Sequence, residues 1–357
     1  MNGRAAALIL VTAVIAASGG DTLGQGFAGL GSDAQGFAIP ERGYALSFPR
    51  DHGAHPGYRI EWWYVTANLM GKDGKQYGAQ WTLFRSALAP QSKVGFADPQ
   101  VWIGHAAVTT PNHQYVAERL GRGGVGQAGV VAAPFRAWID EWTMSSVDSA
   151  SSDPFANLAL KATGLDFRYS LDLKAQGSLI LQGDHGFSVK SASGQASYYY
   201  SQPFYEVSGT IELAGKPITV SGNAWLDREW SSQPLASDQT GWDWFSLHLA
   251  SGEKLMAFRL RDDKDGFISA NWISPDGRTT PLTKDQVHLT PLRAAPVDGK
   301  QIPVSWRIEV PSKSLDIQTQ PLNDQSWMAT TTPYWEGPIS FQGSTTGVGY
   351  LEMTGYR

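Results

Sequence analysis

From about Gly43 to the end of the chain, apolar and polar residues alternate in short runs broken by turn signals, the period-two pattern of half-buried β-strands. Lys72-Asp73-Gly74-Lys75 predicts a hairpin turn between Trp62–Leu69 and Tyr77–Arg85. Ser251-Gly252 joins Trp242–Leu249 to Lys254–Arg261, and Pro275-Asp276-Gly277 closes Phe267–Ile273. Asp-Gly and Ser-Gly supply the positive φ that tight hairpins need. Long helical periodicity is absent, and only the stretch near Asp285 leaves room for a short helix. Successive hairpins of this kind predict an all-β protein of antiparallel barrels or sandwiches, which remove exposed sheet edges by closure.

One strand pattern occurs twice. Trp62-Trp63-Tyr64-Val65-Thr66-Ala67-Asn68-Leu69 and Trp242-Asp243-Trp244-Phe245-Ser246-Leu247-His248-Leu249 both run Trp-x-aromatic, apolar, hydroxyl, apolar, polar, Leu. Each is followed by a Gly turn and a second strand ending in Arg. The spacing predicts two copies of one β-domain. The boundaries expected are 1–20, an export signal; 21–40, a flexible lead-in; 41–203, an N-terminal domain; and 204–357, a C-terminal domain. Within each copy, residues two apart share a face. Trp62, Tyr64, Thr66 and Asn68, with Trp242, Trp244, Ser246 and His248, form an aromatic face that either lines a small-molecule pocket or packs one domain on the other. Val65, Ala67, Leu69, Phe245, Leu247 and Leu249 on the opposite faces are plain core.

Composition narrows the functions. At 357 residues, with about 150 per domain, two domains fit. Hydrophobic residues at 42% against 17% charged mark a globular chain. The net charge of −5 and the lack of a basic block argue against a nucleic-acid partner. With no Cys, disulfides, thiolate nucleophiles and Cys-ligated metals are excluded. Arg4, the apolar run Ala5 to Ala17 and the small residues Ser18-Gly19-Gly20 have the layout of a secretory signal, too short to span a bilayer. The mature product is therefore expected to be exported and periplasmic.

Four segments carry a family resemblance: Phe48-Pro49-Arg50-Asp51-His52-Gly53-Ala54-His55-Pro56 leading into Glu61-Trp62-Trp63-Tyr64; Tyr198-Tyr199-Tyr200-Ser201-Gln202-Pro203; Gly222-Asn223-Ala224-Trp225-Leu226-Asp227-Arg228-Glu229-Trp230 leading into Gly241-Trp242-Asp243-Trp244; and Tyr334-Trp335-Glu336-Gly337 with Gly349-Tyr350-Leu351-Glu352-Met353-Thr354-Gly355-Tyr356. Together they resemble the AttH-like, carotenoid 1,2-hydratase-like family of duplicated lipocalin-like proteins, over nearly all of the mature chain. The resemblance implies two calycin-type β-domains meeting over an apolar cavity. It is nearer to the exported AttH-like branch, which accompanies ABC-type exporters, than to hydroxyneurosporene synthase. It therefore implies a protein that binds a lipophilic small molecule, a possible ABC-type permease as partner, and a monomer. The hydratase branch implies an alternative: a cofactor-free hydro-lyase that starts addition of water with a protonated acid. There an aromatic-x-Asp pair follows a His-x-Trp pair. Trp225-x-Asp227 matches the first, and Tyr198-x-Tyr200 stands in place of the second, without the His. That makes Asp227, Tyr198 and Tyr200 the catalytic candidates.

Other residues are weighed on their chemistry. Asp227 lies among Trp225, Trp230, Trp242 and Trp244, and desolvation by such rings would keep it protonated; a structural Asp paired with Arg228 is the plain alternative. Glu229 shares its face. Glu61 is expected as a buried partner of Arg85 at a barrel mouth, His105 as a core or cavity histidine, and His248 as a pocket residue on the aromatic face. His52 and His55 form H-x-x-H without the helical spacing of a zinc site, so no metal is expected; the absence of any other cofactor is what the resemblance implies. N-terminal sequencing of the mature protein is expected to read a new terminus between about Ala17 and Gly20; a terminus at Met1 would overturn the export signal.

Overall fold

The computed structural model describes residues 35–148, 151–233, 235–236 and 238–356. The export signal expected at 1–20, and the part of the expected lead-in before residue 35, lie outside the described residues. Two antiparallel sheets account for nearly all regular structure, so the all-β, two-domain lipocalin-like architecture is what the chain adopts. Among the described residues helical structure is limited to three short 3-10 turns, and the residues around Asp285 form a turn and not a helix.

The first sheet comprises β1 (Ile60–Gly71), β2 (Gln76–Ala87), β3 (Gln100–Thr109), β4 (Gln114–Arg122), β5 (Ala128–Ala132), β6 (Phe135–Ile139), β7 (Trp142–Ser146), β8 (Asn157–Thr163), β9 (Phe167–Ala175), β10 (Ile180–Leu181), β11 (Phe187–Val189), β12 (Ala196–Leu213) and β13 (Lys216–Ser231). The second comprises β14 (Gly241–Leu249), β15 (Lys254–Arg261), β16 (Phe267–Ile273), β17 (Thr279–Thr283), β18 (His288–Val297), β19 (Lys300–Val310), β20 (Leu315–Pro321), β21 (Trp327–Met328), β22 (Tyr334–Gly343) and β23 (Gly347–Met353). The sheet orders match. In the first, β4-β3-β2-β1-β13-β12-β9-β8-β7 run side by side; in the second, β17-β16-β15-β14-β23-β22-β20-β19-β18 do. β1 and β14, the two strands with the repeated Trp-x-aromatic pattern, hold the same place in their sheets.

The join expected near Pro203 is displaced. Pro203 lies inside β12, at a register shift between Gln202 and Tyr205, and the strand continues on both sides of it against β13. Proline lacks the N–H that a ladder needs, so the sheet accepts it at an irregularity. The chain passes from one sheet to the other between Ser231 and Gly241.

Each sheet curls around a core of its own. In the first, Trp63, Val65, Ala67 and Leu69 of β1 pack with Trp81, Leu83, Trp142 and Leu171. In the second, Phe245, Leu247 and Leu249 of β14 pack with Trp306, Ile308 and Trp335. Each core also buries an acid between two arginines. Glu61 pairs with Arg85 and Arg228; Asp243 pairs with Arg259 at 2.8 Å and with Arg261 at 2.5 Å. The alternate faces of the same strands meet one another: Tyr64, Tyr199, Trp225, Trp244, Met256, Phe258 and Tyr350 form one cluster drawn from both sheets. The aromatic face therefore packs domain on domain and, as shown below, also encloses a cavity.

The sheets approach closely at Gly78 on β2. A Cβ there would stand 2.5 Å from Tyr350 Oη and 2.7 Å from Pro338 Cγ. Tyr350 Oη donates to the carbonyl of Ala79 at 3.2 Å, and Asn68 Nδ2 donates to the carbonyl of Gly349 at 2.8 Å. Gly78→Val is expected to force the sheets apart and to destabilise the protein by roughly 1–3 kcal/mol, the usual cost of overpacking. Chemical denaturation compared with a Gly74→Val control, whose site has nothing within 4 Å but a positive φ, separates the steric effect from backbone strain.

Candidate functional site

The strand registers set two rows of side chains facing each other across the inter-sheet space. On the first sheet, Tyr64 of β1 lies opposite Thr82 of β2 and opposite Asp227 of β13. The row continues to His105 of β3 on one side and to Ser201 of β12 on the other. On the second sheet, Trp244 of β14 lies opposite Phe258 of β15 and Glu352 of β23, and Glu352 lies opposite Glu336 of β22. Between these rows is a partly open cavity. Its walls are Trp62, Tyr64, Phe84, Tyr199, Leu235, Trp242, Trp244, Phe258 and Leu260, and its ionisable groups are Lys190, Asp227, Glu229 and Glu352.

Asp227 is buried and held by three donors. Tyr199 Oη donates to Oδ2 at 2.6 Å, while Ser201 Oγ at 2.5 Å and Trp225 Nε1 at 2.6 Å both donate to Oδ1. Trp244 Nε1 in turn donates to Tyr199 Oη at 3.2 Å, tying the second sheet to the acid. No cation pairs with Asp227 among the described residues. Burial outweighs the three hydrogen bonds, and the Glu229 charge adds to it, so the carboxyl is pushed up to about 7. Glu229, by contrast, meets Lys190 Nζ at 2.8 Å, and that ammonium also lies over the rings of Tyr199 and Phe258.

Strand parity decides which predicted residues reach this cavity. Trp62, Tyr64, Trp242 and Trp244 line it, as does Asp227. Trp225 is fully buried behind it, edge-on to Trp244 and His248. Tyr198 and Tyr200 do not contact Asp227. They share a face one residue out of step with Ser201 and Asp227, and they belong to the first core. Tyr198 Oη donates to the carbonyl of Glu41, and Tyr200 Oη sits 2.7 Å from His52 Nδ1. The phenol on the acid is Tyr199. Trp230 falls on the core side as well, stacked on His55 with ring centroids 4.1 Å apart. Glu61 and Arg85 form the expected ion pair, but inside the first core and away from the cavity, with Arg228 as the second cation. Arg228 is thus the partner of Glu61 and not of Asp227. His105 lies between the sheets beside the cavity, with Tyr334 Oη and Glu118 Oε1 each 3.1 Å from a ring nitrogen. His248 is buried against Trp225 and does not line the cavity; burial and the nearby Lys254 hold it neutral, with its pKa lowered to about 3.

Two carboxyls escaped the reading of the chain. Glu352 lines the cavity, accepts from Trp242 Nε1 at 2.5 Å and is pushed up to about 7, by burial first. Glu336 stands beside it, fully buried, accepts from Tyr64 Oη at 2.5 Å and is raised well above the carboxylate range by burial and the Glu352 charge. The signal was present: Tyr350-x-Glu352 repeats Trp225-x-Asp227, one in each copy.

The AttH-like family pattern matches residues 39–356, and the chain belongs to that family. Its structure is similar to that of an AttH homologue from Nitrosomonas europaea, with a TM-score of 0.80 and 35% identity over 90% of this chain and 99% of that one. Kievitone hydratase from Nectria haematococca shares the fold at a TM-score of 0.65 and 15% identity, covering 89% of this chain and 98% of that one. CghA in complex with Sch210972 shares it at a TM-score of 0.57 and 12% identity, over 90% and 97%. No curated protein matches the chain in sequence.

The raised carboxyl has a measurable consequence. Asp227 has an ordinary value of 3.8 and a folded value of about 7. Between these the folded state keeps a proton that the unfolded chain releases, so this group's contribution to stability falls as pH rises from about 4 to about 7. The full loss is on the order of 4 kcal/mol. His52 and His248, both lowered to about 3, act oppositely: they add stability as pH rises to about 6.5. The difference between wild type and Asp227→Asn isolates the acid. In thermal melts between pH 5 and 8, the variant is expected to gain stability relative to wild type as pH rises; a constant difference would show Asp227 already ionised.

Proposed function

We propose that this protein is exported and binds a lipophilic small molecule in the cavity between its two sheets. The observation that carries this reading is the cavity itself: aromatic and aliphatic walls contributed by equivalent strands of both repeats, with a few polar groups set among them. Pockets of that composition bury apolar ligands and orient them through the polar minority. The signal-like N-terminus supports export to the periplasm. The family resemblance supports action alongside an ABC-type permease, as a monomer without a cofactor.

A second reading is favoured by Asp227. A carboxyl with a value near 7, unpaired with a cation and bordering an apolar cavity, is suited to general-acid work at neutral pH. It would give its proton to one carbon of a double bond. The neighbouring cation would be faced by the rings of Trp62, Trp242 and Trp244, and water would then add to it and release a proton. Two proteins that share the fold support this reading, kievitone hydratase by its name and CghA by its complex with Sch210972.

The binding reading is tested with N-phenyl-1-naphthylamine, a neutral fluorophore that brightens in apolar surroundings. Saturable binding of one equivalent is expected, weakened about tenfold or more by Trp244→Ala and unchanged within a factor of about two by Asp227→Asn. A tenfold loss is about 1.4 kcal/mol, within the range for removing one buried aromatic contact. Absence of saturable binding, or equal binding by Trp244→Ala, would count against the cavity as the ligand site.

A further inference from the structure

The two repeats put an acid at the same position of the same cavity. Trp225-x-Asp227 on β13 lies opposite Tyr64 of β1, and Tyr350-x-Glu352 on β23 lies opposite Trp244 of β14. Both carboxyls line the one cavity, each facing it from its own sheet. We propose that Glu352 is a second proton-transfer residue of this cavity, taking up the proton that the added water loses while Asp227 gives one to the ligand's double bond. This rests on the reading of Asp227 as a general acid.

Three observations carry it. Glu352 forms no ion pair among the described residues, whereas Glu229 in the same cavity is matched by Lys190. The hydrogen bond it accepts, from the indole N–H of Trp242 at 2.5 Å, comes from a neutral donor, so no cation holds the carboxyl ionised. Behind it, Glu336 is directly opposite on β22, buried, with Oε1 bonded to Tyr64 and the phenol of Tyr334 as a further neutral partner. Adjacent carboxyls without a cation do not both ionise readily, so Glu336, raised well above the carboxylate range, keeps its proton and adds no further charge beside Glu352. Glu352 also feels the charges of Asp227 and Glu229, and both Asp227 and Glu352 are pushed up to about 7. Carboxyls that disfavour each other's charge release their protons one after the other, the division that acid–base work requires.

The step balances with water alone. The O–H bond of Asp227 breaks and a C–H bond forms at one alkene carbon. The other carbon, left cationic, takes a lone pair from water and forms a C–O bond. The added water loses a proton to a Glu352 oxygen. The product is an alcohol, and one proton has moved from Asp227 to Glu352; its return through cavity water resets the pair.

The test uses N,N′-dicyclohexylcarbodiimide, an apolar reagent that adds to protonated carboxyls, on the whole protein, with adducts located by peptide mass spectrometry. Adducts on both Asp227 and Glu352 are expected, each reduced at least fivefold by saturating N-phenyl-1-naphthylamine, while exposed Asp276 is unaffected by the probe. In Glu352→Gln the pH at which Asp227 ceases to react is expected to move down, because a neighbouring negative charge is gone. If Asp227 is modified and protected but Glu352 is neither, or if the Asp227 midpoint does not move in Glu352→Gln, the pairing is overturned and the general acid stands. If the probe protects neither carboxyl, the cavity reading falls and the pairing with it.

Discussion

β1 and β14 are buried on both faces, and the rest of the structure follows from that. One set of alternate residues fills a sheet's own core, and the other set must fill the space shared with the opposite sheet. A strand cannot favour one side without emptying the other, because its side chains alternate strictly. Polar groups on either face are then removed from water and need partners. In the cores that demand is met by charge: Glu61 with Arg85 and Arg228, Asp243 with Arg259 and Arg261. In the shared space it is met mainly by neutral donors, namely Tyr199, Ser201 and Trp225 on Asp227, Tyr64 on Glu336 and Trp242 on Glu352.

This difference in partner separates two kinds of buried acid. Glu61, flanked by two guanidinium groups, is held well below the ordinary carboxylate range although it is fully buried. Asp227 and Glu336 are also buried, Glu352 is partly so at the cavity wall, and all three are raised. Desolvation acts on all four in the same direction, so the nearby cation is what reverses the outcome. An ionised core acid fixes β1, β2 and β13 to one another; a protonatable one in the cavity can take part in chemistry.

Much of this was legible in the chain. The doubled Trp-x-aromatic pattern located β1 and β14, their core and shared faces and the four aromatic wall residues Trp62, Tyr64, Trp242 and Trp244, because period-two alternation is a local property. What depended on parity between strands was less secure. Tyr198, Tyr199 and Tyr200 are chemically alike, and only the pairing of Ser201 with Asp227 shows that the middle one faces the acid. Glu61, Arg85 and Trp230 are close to the aromatic face in sequence but one residue out of step with it. The sheet boundary was misplaced because Pro203 looks like a break, whereas a register shift lets β12 run through it. Glu352 was not singled out because its own strand, β23, lies more than a hundred residues from the Asp227 motif and reaches the cavity only through its pairing with β14.

The order of strands also constrains how the chain reaches this state. β1 is flanked by β2, its neighbour in sequence, and by β13, the last strand of its sheet: Ile60 pairs with Ser231. β14 is likewise flanked by β15 and by β23, near the end of the chain. Each sheet thus completes its central pairing only when its last strand arrives, and such non-local closure is slow. Until then, one edge of β1 offers unpaired backbone beside two apolar faces, the kind of surface that recruits other chains. A ribosome delivering this protein exposes that edge through most of the first sheet's synthesis, which makes β1 the segment where a holding chaperone would act.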